Sequence, residues 1–194
     1  LDLWQTGLVP EIRNDASIIA CMDDLRSQAR ARAEEEWARM DREQTEWLER
    51  AAQYRAGEIA AEELGPRPPF IQILVIEENL RSGIPYNFTT REHLRDLFVL
   101  GHGYLYARVT LNIRWGKDAW GRHIGKMTIF YGFGIQDWFR DVLDPLDNIP
   151  ASIGHFEFDD GWPYKMEAWW DGMDYGELSP FSNEWPGWSW EVRL

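Results

Sequence analysis

The run Gly101-His-Gly-Tyr-Leu-Tyr-Ala-Arg-Val-Thr-Leu-Asn-Ile-Arg-Trp115 constrains the fold more than any other part of the chain. From Leu105 the apolar residues Leu105, Ala107, Val109, Leu111, Ile113 and Trp115 alternate with Tyr104, Tyr106, Arg108, Thr110, Asn112 and Arg114. Side chains of a β-strand point to opposite faces in turn, so this period places one face in a core and leaves the other to solvent or a ligand. A strand of this kind belongs to an antiparallel sheet covered on one side. Past a polar connection, Gly116 to Gly125, the residues Met127, Ile129, Tyr131 and Phe133 alternate with Lys126, Thr128, Phe130 and Gly132. A long hairpin is the expected result.

Before the hairpin the pattern is helical. Ile18, Met22, Leu25, Ala29, Ala33, Trp37, Met40, Gln44, Trp47, Ala51 and Tyr54 recur at steps of three and four, which predicts one helix from Ser17 to Tyr54, capped by Asp15 or Ser17 and stopped at Gly57. Its other positions are nearly all charged, with Arg30 and Glu34, Glu35 and Arg39, and Glu46 and Arg50 four apart. So long a stripe must lie on the chain's own sheet, pair with a second copy or a partner helix, or break near Glu34 to Glu36. Leu1 to Asn14 reads as an extended arm, Glu58 to Leu64 as a short helix, and Gly65-Pro-Arg-Pro-Pro69 as a linker. Phe70 to Leu80, an apolar run after two prolines, is expected to be a buried helix. Another helix is expected from Thr89 or Thr90 to Leu100, and one or two helical turns over Gln136 to Leu143. A second hairpin is expected around Asp159-Asp-Gly-Trp-Pro163, and a last strand over Trp188, Trp190, Val192 and Leu194. The fold class is α+β: a long N-terminal helix and two or three shorter helices packed on an antiparallel sheet of hairpins. Residues 1–65 form a helical arm and residues 66–194 the domain that holds the sheet.

The single cysteine, Cys21, excludes an internal disulfide framework and reads as a small core residue. No run approaches the roughly 18 apolar residues of a membrane-spanning helix. A net charge of −13 argues against general nucleic-acid binding. The charge is unevenly spread: residues 103–135 carry five bases against Asp118 alone, whereas residues 136–194 carry thirteen acids against three bases. The first hairpin is a basic island in an acidic chain, and pairing with the acidic remainder is the simplest use of it.

No phosphate loop, dinucleotide fingerprint, Cys-x-x-Cys, His-Glu-x-x-His or Gly-x-Ser-x-Gly is present. Four weaker groupings remain. His93, His102, His123 and His155 could meet with Asp137, and His102, held between two glycines, suits general acid or base work. Glu157, Asp159, Asp160 and Glu167 cluster about the second hairpin, where crowded carboxylates could act as proton donor and base or hold a divalent cation. Trp162, Trp169, Trp170, Trp185, Trp188 and Trp190, interleaved with Asp171, Asp174, Glu177 and Glu184, suit either stacking platforms or a core. Arg108 and Arg114 share a strand face and Arg122 and His123 sit in the connecting loop, so these four could hold one anionic group. The catalytic candidates are therefore His102, Asp137, His155, Asp159 and Asp160, and the binding candidates Arg108, Arg114, Arg122, His123, Trp169 and Trp170. No metal site is assigned and the cofactor stays open.

The hairpin also carries a resemblance. Tyr106-Ala-Arg-Val-Thr-Leu-Asn-Ile followed by Gly125-Lys-Met-Thr-Ile-Phe-Tyr-Gly-Phe-Gly-Ile-Gln-Asp137 resembles C-terminal domains of unknown function in bacterial polymorphic toxins and type VI secretion effectors. There a Tyr-x-Ala strand leads to a second strand closing in a Phe-Gly-Leu-Asp-like turn. Phe133, Gly134 and Asp137 carry over, while Tyr131-Gly132 stands in place of an Asp-His or Asp-Tyr pair. The resemblance implies an effector domain used in competition between bacteria, held in the bacterial cytoplasm before secretion and then delivered to a target cell. It implies a protein partner as well: a cognate immunity protein, a chaperone or a carrier. The start without methionine agrees with a processed fragment. Two other classes fit the residues: an acidic, non-enzymatic binding protein such as an immunity protein or inhibitor, and a glycan-directed hydrolase or binding module acting on the cell wall.

Overall fold

The computed structural model describes residues 9–84, 104–118, 120–139, 164–178 and 187–193. Three helices, α1 (Val9–Arg13), α2 (Ala16–Arg55) and α3 (Ala61–Leu64), precede five strands, β1 (Ile71–Gly83), β2 (Tyr104–Lys117), β3 (His123–Phe139), β4 (Tyr164–Leu178) and β5 (Gly187–Arg193). The strands form one antiparallel sheet in the order β1-β2-β3-β4-β5, each paired with its neighbours in sequence. The class is α+β, with α2 laid on one face of the sheet.

The period of two predicts β2 and β3 correctly. Leu105, Ala107, Val109, Leu111, Ile113 and Trp115 are buried, as are Met127, Ile129, Tyr131 and Phe133. The register brings Ile113 opposite Met127 and Leu111 opposite Ile129, so the two apolar rows share the inner face. The helix stripe meets them there: Ile18, Cys21, Leu25, Ala29, Ala33, Trp37 and Met40 join the same hydrophobic cluster. Asp15 supplies the cap, its side chain accepting from Ser17 N at 2.7 Å. Ala56 ends the helix and Gly57 turns the chain away at φ 76°. Forty residues at about 1.5 Å each make a rod of roughly 60 Å, and a 17-residue strand at about 3.3 Å per residue is nearly as long. Long strands therefore give the unbroken helix a track. Its last turns rest on the segment between α3 and β1: Trp47 Nε1 donates to Gly65 O, and the Arg67 guanidinium sits 5.3 Å from the Trp47 ring. The stripe as far as Met40 lies against the chain's own sheet.

Three local expectations are corrected. Phe70 to Leu80 is not a buried helix; Ile71–Gly83 is an edge strand paired with β2. Ile71, Ile73, Val75 and Ile76 are β-branched, and apolar residues on both faces of the strand hide its alternation from a sequence reading. Gln136 to Phe139 does not form helical turns, because β3 continues through it and pairs Gln136 with Glu167 and Phe139 with Tyr164. The extended arm contains a short helix over Val9–Arg13. The last strand is present as β5. The helix expected from Thr89 or Thr90 to Leu100 and the turn Asp159 to Pro163 of the expected second hairpin lie outside the described residues.

Trp37 fixes the helix at one point of the sheet. A Cβ on Gly125 would come 2.5 Å from its ring, so the indole occupies the space that glycine leaves on the inner face. Trp37→Ala should cost about 3 to 5 kcal/mol through the cavity it opens, read as a lower urea midpoint at unchanged sedimentation coefficient. An unchanged midpoint would contradict this packing.

Candidate functional site

The two faces of the sheet hold different chemistry. On the inner face a carboxylate with no solvent exposure, Asp174, projects from β4 toward α2. Arg30 Nε donates to it at 2.7 Å, Arg26 Nη2 at 3.2 Å and the Tyr131 hydroxyl at 3.1 Å. The Arg26 guanidinium also lies 3.9 Å from the Trp190 ring, and Trp188 Nε1 donates to Glu34. Burial and the neighbouring Asp174 push the Tyr131 phenol up, so it stays protonated and remains a donor. A buried charge is tolerated only with this degree of pairing. The group clamps helix to sheet, and Asp174, grouped in the sequence with ligand-facing tryptophans, faces the helix instead.

A second inner-face group closes the far end of the helix. Asp41 lies 3.0 Å from Lys117 Nζ and 3.6 Å from His123 Nε2, and the His123 ring packs against Trp37 and Trp115. Burial pushes the His123 imidazole below its ordinary value near 6.5, Lys117 adds to the effect and Asp41 opposes it.

The outer face is uncovered over much of its area. Ile73 and Val75 of β1 are 69% and 56% exposed, and Phe130, Tyr175 and Tyr104 are exposed as well. Between them run charged rows fixed by the register. One row is Ile73, Arg114, Lys126 and Glu177, and another Asn79, Arg108, Gly132 and Asp171. Arg81, Arg108, Arg114 and Lys126 are bases of this face and Glu77, Asp171, Glu177 and Glu191 acids of it, and the register also sets Lys165 of β4 and Arg193 of β5 on it, Arg193 opposite Asp171. Arg108, Arg114 and Lys126 form no ion pair within 4.0 Å among the described residues.

The structure distributes the binding candidates. Arg108 lies on the open face with its guanidinium 4.5 Å from the Trp169 ring, which in turn covers Gly134. Arg114 lies on the same face. Arg122 turns back on its own loop and donates to Asp118 at 2.7 Å. His123 is on the inner face, so the four-residue anion site is not assembled; Lys126, opposite Arg114, is the base that shares its row. Trp169 and Trp170 point to opposite faces, and Trp170 is buried against Phe133. Cys21 is buried, its thiol donating to Gly83 O at 3.3 Å and pushed up chiefly by burial. Of the catalytic candidates, Asp137 is part of β3 opposite Met166, not a turn. His102, His155, Asp159 and Asp160 lie outside the described residues. Among the described residues no group of three or more His, Cys, Asp or Glu side chains could hold a metal ion, and no helix is long and apolar enough to cross a membrane. In comparisons with protein-family models, with curated proteins and with solved structures, nothing matches this chain.

Asp174→Ala should destabilise the fold by about 3 to 5 kcal/mol, since it leaves two guanidinium groups without their acid, and the loss is read from denaturant midpoints. A depressed imidazole makes its own contribution to the pH profile. The unfolded chain takes up the proton first, so the stability tied to His123 is complete above pH 6.5 and falls as pH drops through that value. His123→Gln should flatten that part of the stability profile, and an unchanged slope would rule it out.

Proposed function

We propose that this chain is a protein-binding domain of a bacterial effector and that the uncovered face of its sheet is the contact surface. The observation that carries the reading is the combination on that face of exposed Ile73, Val75, Phe130 and Tyr175 with Arg108, Arg114 and Lys126, bases in no ion pair among the described residues. A partner suited to it presents apolar side chains flanked by acids toward β2 and β3. Charges arranged in this way set orientation and speed of encounter, and the apolar rows supply the affinity. The setting, competition between bacteria, comes from the hairpin resemblance, and an immunity protein, chaperone or carrier is the class of partner it implies. The inhibitor reading needs a continuous acidic face; on α2 the acids alternate with arginines, as in Arg32 with Glu35 and Glu36 and Arg39 with Glu43, which favours binding through the sheet.

A photo-crosslinking residue placed at Phe130 or Val75 should capture one defined protein in the producing bacterium, while the same residue at Arg42 on the side of α2 away from the sheet should capture none. Equal capture from both sides would remove the open face as the contact surface. Expression of residues 1–194 in the cytoplasm and, separately, in the periplasm tests the effector setting, and normal growth in both would count against it.

A further inference from the structure

At one end of the open face the strands leave a hollow of about 310 Å³. Its floor is Gly116, whose missing side chain would have stood on this face: a Cβ there would meet Ile71 Cγ1 and Ile124 O, each at 3.5 Å. Ile71, 45% exposed, and Ile124 are the walls, paired with Gly116 from either side. Arg114, Lys126 and Glu177 form the rim, in one row across β2, β3 and β4.

The rim is electrostatically unfinished. Arg114 and Lys126 stand directly opposite each other on neighbouring antiparallel strands, an arrangement that costs stability for like charges. Neither makes a side-chain hydrogen bond or ion pair among the described residues, although Glu177 is opposite Lys126 on the other side. Two bases at the mouth of an apolar hollow match an anion with an apolar body, because the guanidinium fork and the ammonium can share one carboxylate. Glu177 brings the charge of the rim to a single positive unit. A monoanion is balanced there and a phosphate dianion is not.

We propose that this hollow binds a small monocarboxylate with a short apolar body, the carboxylate between Arg114 and Lys126 and the apolar part over Gly116 between Ile71 and Ile124. The site shares Arg114 and Lys126 with the proposed contact surface but needs no partner, so carboxylate binding by the isolated chain is tested separately from that reading. Titration of the ¹⁵N-labelled chain with isovalerate, and in parallel with inorganic phosphate at pH 7.5, tests it by amide shifts. Isovalerate should give saturable shifts at Ile71, Gly116, Ile124 and Gly125. Arg114→Gln and Lys126→Gln should each weaken binding about tenfold, the loss expected for one charge-assisted contact. Gly116→Val should abolish it with both bases in place, because the new side chain fills the hollow. Glu177→Gln should raise phosphate affinity and leave isovalerate binding in place. Shifts that do not saturate, that persist in Gly116→Val, or that phosphate reproduces equally in the unsubstituted chain would overturn the proposal. Melting temperatures of Arg114→Gln and Lys126→Gln that hold or rise, as relief of the like-charge pair predicts, separate loss of binding from loss of folding.

Discussion

The structure depends on one long helix covering one face of one sheet. A 40-residue helix with a narrow apolar stripe cannot bury itself, and five strands in simple sequence order cannot bury both of their faces against it. The stripe and the inner row of β2 and β3 solve each other's problem, with Trp37 seated where Gly125 has no side chain. The same solution leaves the second face of the sheet uncovered by α2. Every functional reading of the described residues starts from that asymmetry.

Polar groups on the inner face show how tightly the two layers are matched. Asp174 has no contact with water and is met by two guanidinium groups and a phenol, and Asp41 is met by Lys117 and lies beside His123. Each group sits where helix and strand cross, so each also fixes the lateral position of the helix. At Asp174, removing one partner would leave the others charged or polar beside a carboxylate with no exposure, which makes that contact specific as well as adhesive. These groups also explain why α2 can carry so many arginines without a basic surface. Arg26 and Arg30 face inward, and Arg32 and Arg39 are engaged by acids on their own helix.

Charge on the open face is mixed along the register: Lys126 stands opposite Glu177 and Asp171 opposite Arg193, whereas Arg114 and Lys126 are like charges side by side. Gly83, Tyr104, Phe139 and Tyr164 mark one end of the strands, and the Gly116 hollow lies at the other.

The sequence by itself determined the α+β class, a cap at Asp15 or Ser17, the ends of the α2 stripe, the inner rows of β2 and β3, and β5, because each follows from a period or a cap that is local to the segment; that Asp15 caps and that α2 is unbroken only the structure decided. Arg108 and Arg114 were legible as open-face residues for the same reason. What only the tertiary structure decided is what depends on pairing. β1 became a strand because its backbone found β2, even though apolar residues on both of its sides concealed the alternation. β3 ran on to Phe139 because β4 was there to pair with it. The choice among arginines on α2, the burial of Asp174, the separation of Trp169 from Trp170 and the opposition of Arg114 to Lys126 all arise from register and helix position. Those are distances between residues far apart in the chain, and no local pattern encodes them.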